Sequence, residues 1–315
     1  MTQPTDIIPT ATPGVAATAM GGKDAGERPM LAMALRLISA FLISIMFVTV
    51  KIVADRGVHI VESLFYRQFI ACPMILGWAA WNSGIASLKT DKIGLHISRT
   101  AIGCTGMVLN FGSFILLPVA EATAIGFMVP IFGTVLSALL LREATGWHRW
   151  AAVIVGLVGV LVIIRPGAGL NLPPLGLAVA LAAAVVTSFI AILLRTLGKT
   201  EGATTTVFYF TALSVPPLGL LMLFFARSHD PATWGLLVLL GITGGLAQLC
   251  MTGALKFGPV SIVLPMDYSV IIWMTLIGWE LFAEWPGSAT WIGAVLIAGS
   301  GLYIAWREHV RSRAV

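Results

Sequence analysis

Charge is what this chain has least of. Only 10% of its 315 residues are charged, while 58% are hydrophobic. Soluble domains carry roughly 25% charged residues. No water-soluble fold of this size could hide so much apolar surface, so the surrounding medium is lipid. Cysteine is scarce too. Cys72, Cys104 and Cys250 each sit inside an apolar run, with no Cys or His nearby at metal spacing. That argues against a disulfide scaffold and against a metal centre, and reads as small packing residues. The five histidines, His59, His96, His148, His229 and His309, lie near span ends or loops. None pairs with a Cys or Ser at a catalytic spacing. A glycine-rich phosphate loop is missing, and no loop is long enough for a nucleotide-binding part. Enzymatic chemistry, a cofactor and an ATP-driven pump are therefore not expected. The net charge of +5 is scattered between apolar runs, a pattern of membrane topology rather than of nucleic-acid binding.

What is present is a series of long apolar runs. A membrane helix needs about 20 such residues. Ten are predicted, near 31–53, 60–82, 93–116, 118–141, 148–165, 173–196, 204–226, 232–255, 258–282 and 289–306. Leu117-Pro118 and Gly258-Pro259 mark two very short joins, where proline ends one helix and suits the first turn of the next. Residues 1–29 are rich in Thr, Pro, Ala and Gly and lack the pattern of a cleavable signal peptide. They are expected to form a disordered cytoplasmic tail, and 309–315 a second, short one. With the amino terminus inside, fourteen Lys and Arg fall on one side and four on the other. Arg36 and Arg99 are counted among the fourteen. The positive-inside bias then predicts that both termini face the cytoplasm.

The chain also repeats itself. Pro118, Val119, Glu143, Gly146 and Trp150 recur 141 positions later as Pro259, Val260, Glu284, Gly287 and Trp291. Earlier in each half the offset is 144, pairing Ser44 with Ser188 and Pro73 with Pro217. Five spans per half is an odd number, so the halves, 30–166 and 167–308, enter the membrane from opposite sides. The expected fold is all-α, two inverted five-helix repeats. Such halves can exchange conformations around a site between them, which is the logic of alternating access.

Several stretches carry a resemblance. These are Phe65-Tyr66-Arg67-Gln68-Phe69, Ala122-Thr123-Ala124 with Pro130, Leu141-Arg142-Glu143, and Pro265-Met266-Asp267-Tyr268. Gly278 to Pro286 with Glu284, Trp291-Ile292-Gly293 and Trp306-Arg307-Glu308 complete the set. Together with ten spans and the repeat, the chain resembles the ten-helix drug/metabolite transporter superfamily with two EamA-type domains, over about residues 31–308. The resemblance implies a small-molecule substrate and transport without a cofactor. The superfamily holds exporters of amino acids and metabolites, and importers of riboflavin and S-adenosylmethionine. The ninth-span region resembles the importers most. Arg142 stands where the family often has Gly before the glutamate.

Ionisable groups inside a bilayer are costly, about 2.5–3.5 kcal/mol on insertion scales, and mark candidate sites. Arg67 lies about 10 Å into the second span. It reads either as a clamp for a substrate carboxylate or phosphate, or as an ion-pair partner of Glu62 or Asp267. Asp267 lies near mid-depth of the ninth span, just after Pro265 weakens the helix. It is a candidate cation contact or proton-coupling carboxylate; the alternative is a buried acid paired with Arg67. Tyr268 and its repeat mate Phe127 could stack on a planar ligand from a shared cavity, or simply pack. Asn110, Gln248 and Trp273 complete the candidate substrate-binding set, Asn110 and Gln248 as cavity lining or as helix glue. Glu143 and Glu284, matched between halves, read as architectural. Arg99 reads as an anchor that snorkels to the interface. Gly156 with Gly159, and Gly299 with Gly301, read as packing sites. A homodimer is compatible with this, but a monomer suffices. A secondary transporter that moves a small polar organic metabolite across a bacterial inner membrane by alternating access is the first reading, its direction suggested as uptake only by the ninth-span resemblance, and an exporter of amino acids or drug-like compounds is the second. A scaffold or a lipid enzyme is the alternative of another class.

Overall fold

The computed structural model describes residues 28–82, 84–140, 147–164, 172–198, 200–258 and 263–313. Among these the protein is all helix. Its helices are α1 (Pro29–Asp55), α2 (Ile60–Asn82), α3 (Ile93–Leu116), α4 (Val119–Gly126), α5 (Val129–Leu140), α6 (Trp147–Ile164), α7 (Pro174–Leu197), α8 (Ala203–Phe225), α9 (Pro231–Phe257), α10 (Ser269–Phe282) and α11 (Ser288–Arg313). Short 3-10 turns cover Ile85–Leu88 and Leu264–Tyr268. The amino-terminal tail through residue 27, Arg142, Glu143, Gly146, Pro259 and Val260 lie outside the described residues. Helix α11 runs on to Arg313, so residues 309–313 are a helical continuation of the last span. An unbroken apolar-to-polar helix needs no stop signal where no Gly or Pro intervenes.

Among the described residues, seven helices are long and apolar enough to cross a membrane: Pro29–Asp55, Val119–Leu140, Trp147–Ile164, Pro174–Leu194, Ala203–Phe225, Pro231–Phe257 and Ser288–Trp306. The other three expected spans fall short for identifiable reasons. Helix α2 carries Glu62 and Arg67 and has Pro73 inside it. Helix α3 carries His96 and Arg99. The ninth expected span opens in the 3-10 turn Leu264–Tyr268, so α10 keeps only 14 residues.

The fourth expected span is also interrupted, where one continuous helix was expected. The amide of Phe127 is shared between the Thr123 and Ala124 carbonyls at 3.2 Å each, and that of Met128 reaches back three residues to Ile125 at 2.9 Å. Pro130 has no amide hydrogen to give to Gly126, so the regular ladder fails there. The two interruptions fall at Phe127 and Tyr268, positions 141 apart in the chain.

Helices from the two halves of the chain interleave. Helix α1 lies along α9, α2 packs on α8 and α9, and α3 packs on α7 and α8; α10 packs on α1 and α4. The seam between α6 and α11 is made by missing side chains. A Cβ on Gly159 would meet the Gly293 carbonyl oxygen at 2.9 Å, and a Cβ on Gly293 would meet that of Gly159 at 2.5 Å. Gly156 and Gly301 are likewise crowded, by Ile131 and by Tyr268. Gly299, expected to pack, has nothing within 4 Å; Gly293 takes that role. Large apolar side chains such as Trp81, Leu223 and Phe224 point outward at 92%, 79% and 81% exposure. In a bilayer these face lipid, and Trp81 at a helix end suits the interface.

At the start of α9, Asp230 accepts from the amides of Ala232 (3.1 Å) and Thr233 (3.2 Å). The Thr233 hydroxyl, followed by these two amides and the Arg56 charge, holds its carboxyl below the usual aspartate range. A depressed folded value means that this contribution is present at neutral pH. It is lost as pH falls through that value.

Close approach of α6 and α11 gives a direct test. Gly293→Val forces a side chain onto the Gly159 backbone, an overpacking cost of about 1–3 kcal/mol. The midpoint of thermal unfolding in detergent should fall by several degrees, whereas Gly299→Val should leave it unchanged. Equal midpoints for the two variants would contradict this account of the seam.

Candidate functional site

The interrupted spans matter because a cavity of about 220 Å³ lies beside them. Its walls come from α1 (Arg36, Ala40, Phe47), α3 (Asn110, Phe114), α4 with the break after it (Gly126, Phe127), α7 (Ala180, Ala184) and the ninth expected span (Asp267, Val270). Small residues make the space and aromatic rings line it. Ala40 and Ala184, 144 positions apart, both face the cavity. Each has its carbonyl bonded one turn on by a buried serine hydroxyl, Ser44 at 2.9 Å and Ser188 at 2.7 Å. The Ser188 hydroxyl also lies 2.7 Å from the Val129 carbonyl, at the interrupted fourth span.

One ion pair dominates this space. The Arg36 guanidinium donates through Nε and Nη2 to the two carboxylate oxygens of Asp267. The Arg36 side chain is 11% exposed and that of Asp267 33%. Arg36 Nη1 is buried and has no hydrogen-bond partner. The pair thus keeps one strong donor in reserve. Sequence reasoning assigned Arg36 to the cytoplasmic loop charges and missed it. The signal was available: Arg36 lies about 10 Å beyond the start of α1, as deep as Arg67 in its own helix.

The expected partners of Arg67 are corrected by this geometry. Arg67 pairs with neither Asp267 nor Glu62. Its Nη1 donates to Gln68 Oε1 at 2.7 Å, and its remaining contacts are the sulfurs of Met46 and Met107 at 3.3 and 3.5 Å. Glu62 instead accepts from the backbone amides of His59 (3.2 Å) and Arg227 (2.9 Å) and lies 3.2 Å from His229 Nε2. A carboxylate at a helix start is drawn to free amides nearby, and these outcompete an arginine more than a turn away.

The other candidates divide. Asn110, Phe127 and Asp267 line the cavity. Asn110 also glues helices, giving its amide hydrogens to the Gly106 carbonyl (2.8 Å) and to Thr187 Oγ1 of α7 (3.1 Å). Tyr268 touches Phe127, ring centroids 4.9 Å apart and tilted by 54°, but lies behind it against α11 at Gly301. Trp273 packs edge-on against Phe41 at 5.0 Å, with its indole N–H buried and unpartnered. Arg67, Gln248, Tyr268 and Trp273 are not among the cavity walls.

Glu284 behaves as the architectural reading expects. It accepts from the amide of Val119 at 3.2 Å, at the start of α4, and pairs with Lys51 at 2.7 Å. Its repeat mate Glu143 lies outside the described residues. Arg99 departs from expectation. It is 7% exposed, with its guanidinium 3.6 Å above the Phe210 ring, and so does not snorkel to the interface.

Comparison with known proteins now has a geometry to meet. The EamA-like transporter family matches residues 30–165 and again 174–306. The chain belongs to the EamA-like transporter family. It is 29% identical over 234 residues to a riboflavin transporter of Vibrio cholerae, covering 72% of this chain and 76% of that one. It is 26% identical to an S-adenosylmethionine uptake transporter of Rickettsia prowazekii, over 86% and 91% of the two chains. A pseudopaline exporter of Pseudomonas aeruginosa is 27% identical over 84% and 92%. One crystal structure shares the fold with a TM-score of 0.58 at 21% identity, covering 90% of this chain and 98% of that one. This EamA protein is therefore a multi-pass membrane transporter of the drug/metabolite superfamily.

The ion pair yields a stability prediction. Asp267→Asn leaves the Arg36 charge buried and unpaired, a cost of up to about 3 kcal/mol. Adding Arg36→Gln removes that charge, and the double variant should recover much of the lost thermal stability. Strictly additive losses, measured by thermal unfolding, would argue against a coupled pair.

Proposed function

We propose that this EamA-family protein is a secondary transporter. It moves a small polar organic metabolite across the inner membrane by alternating access. The observation that carries this is the Arg36–Asp267 pair with its spare donor, set in an aromatic-lined cavity at the interrupted ninth span. A broken helix with charge at mid-depth is the expected form of a transporter site. Opposite charges side by side suit a zwitterion or a ligand with both a carboxylate and a cationic group. The rings of Phe47, Phe114 and Phe127 suit a flat portion. S-adenosylmethionine has all three features, and the name of the Rickettsia relative supports it as a first substrate to try. Riboflavin, with a flat ring and hydroxyls, is the second.

The cavity volume of about 220 Å³ is below the ~300–1,000 Å³ of sites for drug-sized ligands. A metabolite of that size needs the cavity to widen, and parting Arg36 from Asp267 frees both walls at once. The substrate's anionic group then takes the place of Asp267 on Arg36, and its cation the place of Arg36 on Asp267. A proton on Asp267 offers a second way to release Arg36.

Two ion pairs join α1 to the ninth expected span and to the residues just after it. Arg36–Asp267 lies toward the amino-terminal end of α1, and Lys51–Glu284 toward its other end. Along the helix they are about 22 Å apart. With both termini on the cytoplasmic side, as the loop charges suggest, opening toward the cytoplasm breaks the first pair and keeps the second. Opening outward does the reverse. The sign of transport follows from whatever gradient or exchange drives the cycle, with uptake supported by the name of the Rickettsia relative.

Reconstitution in proteoliposomes tests this. Labelled S-adenosylmethionine or riboflavin should accumulate by counterflow against the same compound inside. Arg36→Gln and Asp267→Asn should each reduce the rate at least about tenfold, the loss of one charge-assisted contact of ~1.5–3 kcal/mol. Both variants should still insert and fold. Undiminished exchange by either variant sinks the assignment of the site.

A further inference from the structure

Unpartnered polar atoms gather at one place that the cavity does not explain. Among the described residues, eight buried side-chain nitrogens and oxygens have no hydrogen-bond partner, and five of them belong to His96, Arg99 and Thr100 on a single face of α3. These residues are 0%, 7% and 5% exposed. None of them lines the cavity. Arg99 keeps Nε and Nη1 free, although Phe210 covers the face of its guanidinium. A ring answers the charge of a guanidinium but gives its in-plane N–H groups nothing to bond. Those edges remain open to an acceptor.

A second cation stands close by. About one turn along α8 from Phe210, Ser214 accepts from Gln68 Nε2 at 3.1 Å and from Cys104 at 3.4 Å. Gln68 in turn takes the Nη1 hydrogen of Arg67 at 2.7 Å. Arg67 and Arg99 therefore flank one polar seam between α2, α3 and α8. Among the described residues, no carboxylate lies within ion-pair distance of either. Glu201, the acid that faces His96 at 3.7 Å, accepts from Thr90 Oγ1 at 2.8 Å. A buried cation, Arg99, beside a part-buried one, Arg67, with no counter-charge is expensive to fold. A small anion supplies both the missing charge and the missing acceptors.

We propose that the seam between α3 and α8 is an anion site, separate from the transport cavity, that binds a small oxyanion of the carboxylate or phosphate class. Arg99 is its principal ligand, Thr100 and His96 donate to it, and Arg67 supplies the second positive charge through the Gln68–Ser214 link. The site neutralises the helix packing and ties the stability of α2, α3 and α8 to anion supply.

The test uses the full-length protein, purified with lipid depleted. Thermal unfolding is followed while sodium phosphate or sodium acetate is titrated in, with sodium chloride, which is no oxyanion, holding ionic strength constant. At least one of the two small anions should raise the midpoint saturably, by about 5 °C when it is ~100-fold above its Kd. Arg99→Gln should abolish that saturable rise, and Arg99→Lys, which keeps charge but loses the planar donors, should weaken it. Equilibrium dialysis of radiolabelled phosphate and acetate against the wild-type protein gives the same answer without a variant. A second arm compares nanodiscs of phosphatidylglycerol with nanodiscs of phosphatidylcholine. Stabilisation that needs phosphatidylglycerol and depends on Arg99 identifies the oxyanion as a lipid headgroup. No saturable response in either arm, no bound label, or a response unchanged by Arg99→Gln overturns the site and leaves water as the partner of these atoms.

Discussion

The contact between Arg36 and Asp267 sets the terms for the rest of this protein. In lipid a lone guanidinium or carboxylate has nowhere to go, so each must find the other, and the chain must bend to let it. Asp267 reaches Arg36 from a 3-10 turn rather than from a continuous helix. That turn lies against α1, opposite the interruption between α4 and α5. The small residues around the pair leave the space that becomes the cavity. Charge, helix break and cavity are in this sense one feature.

Much of this was legible in the residues. Apolar runs and prolines located the helices, and the membrane cost of charge singled out Asp267 before any coordinates did. The Pro265 weakening was visible, and Glu284 was placed correctly as a helix-end acceptor because its repeat mate made it look architectural. Asn110, Phe127 and Asp267 do share a cavity. What sequence could not supply was pairing across the chain. Arg36 and Asp267 are 231 positions apart, and nothing local to either names the other. Counting Arg36 as a loop charge hid it, because topology counting rewards position near a terminus and ignores depth. Pro130 was read as a family mark rather than as the cause of a break, so the interruption after Gly126 went unseen.

Arg67 and Glu62 show how local competition decides partners. They are five residues apart on one helix, and a distance argument alone would join them. Glu62, however, sits in the first turn of α2, where the incoming His59 amide and the Arg227 amide both point at it. Amides fixed by backbone geometry cost little side-chain entropy to engage, whereas an arginine must order a long flexible chain to arrive. Arg67 is left with an amide oxygen and two sulfurs, poor acceptors for a full charge.

That leftover charge changes how the two halves of the chain compare. At the interruptions the matched positions meet: Phe127 touches Tyr268, and Gly126 lines the same cavity as Asp267. A glycine opposite an aspartate leaves room for one carboxylate and one cation instead of two facing acids. On α2 and α8 the comparison runs the other way, with Arg67 matched by Thr211, a buried hydroxyl that bonds only its own helix at 2.7 Å. One half thus donates the positive charge and the other the negative, yet the two do not meet. Arg36, from neither matched pair, neutralises Asp267 and leaves Arg67 and Arg99 without an acidic partner among the described residues. The buried acids Glu62 and Glu121 are engaged by His229 and Thr290 instead of by these arginines, which is why an anion from outside the chain is the counter-charge proposed for them.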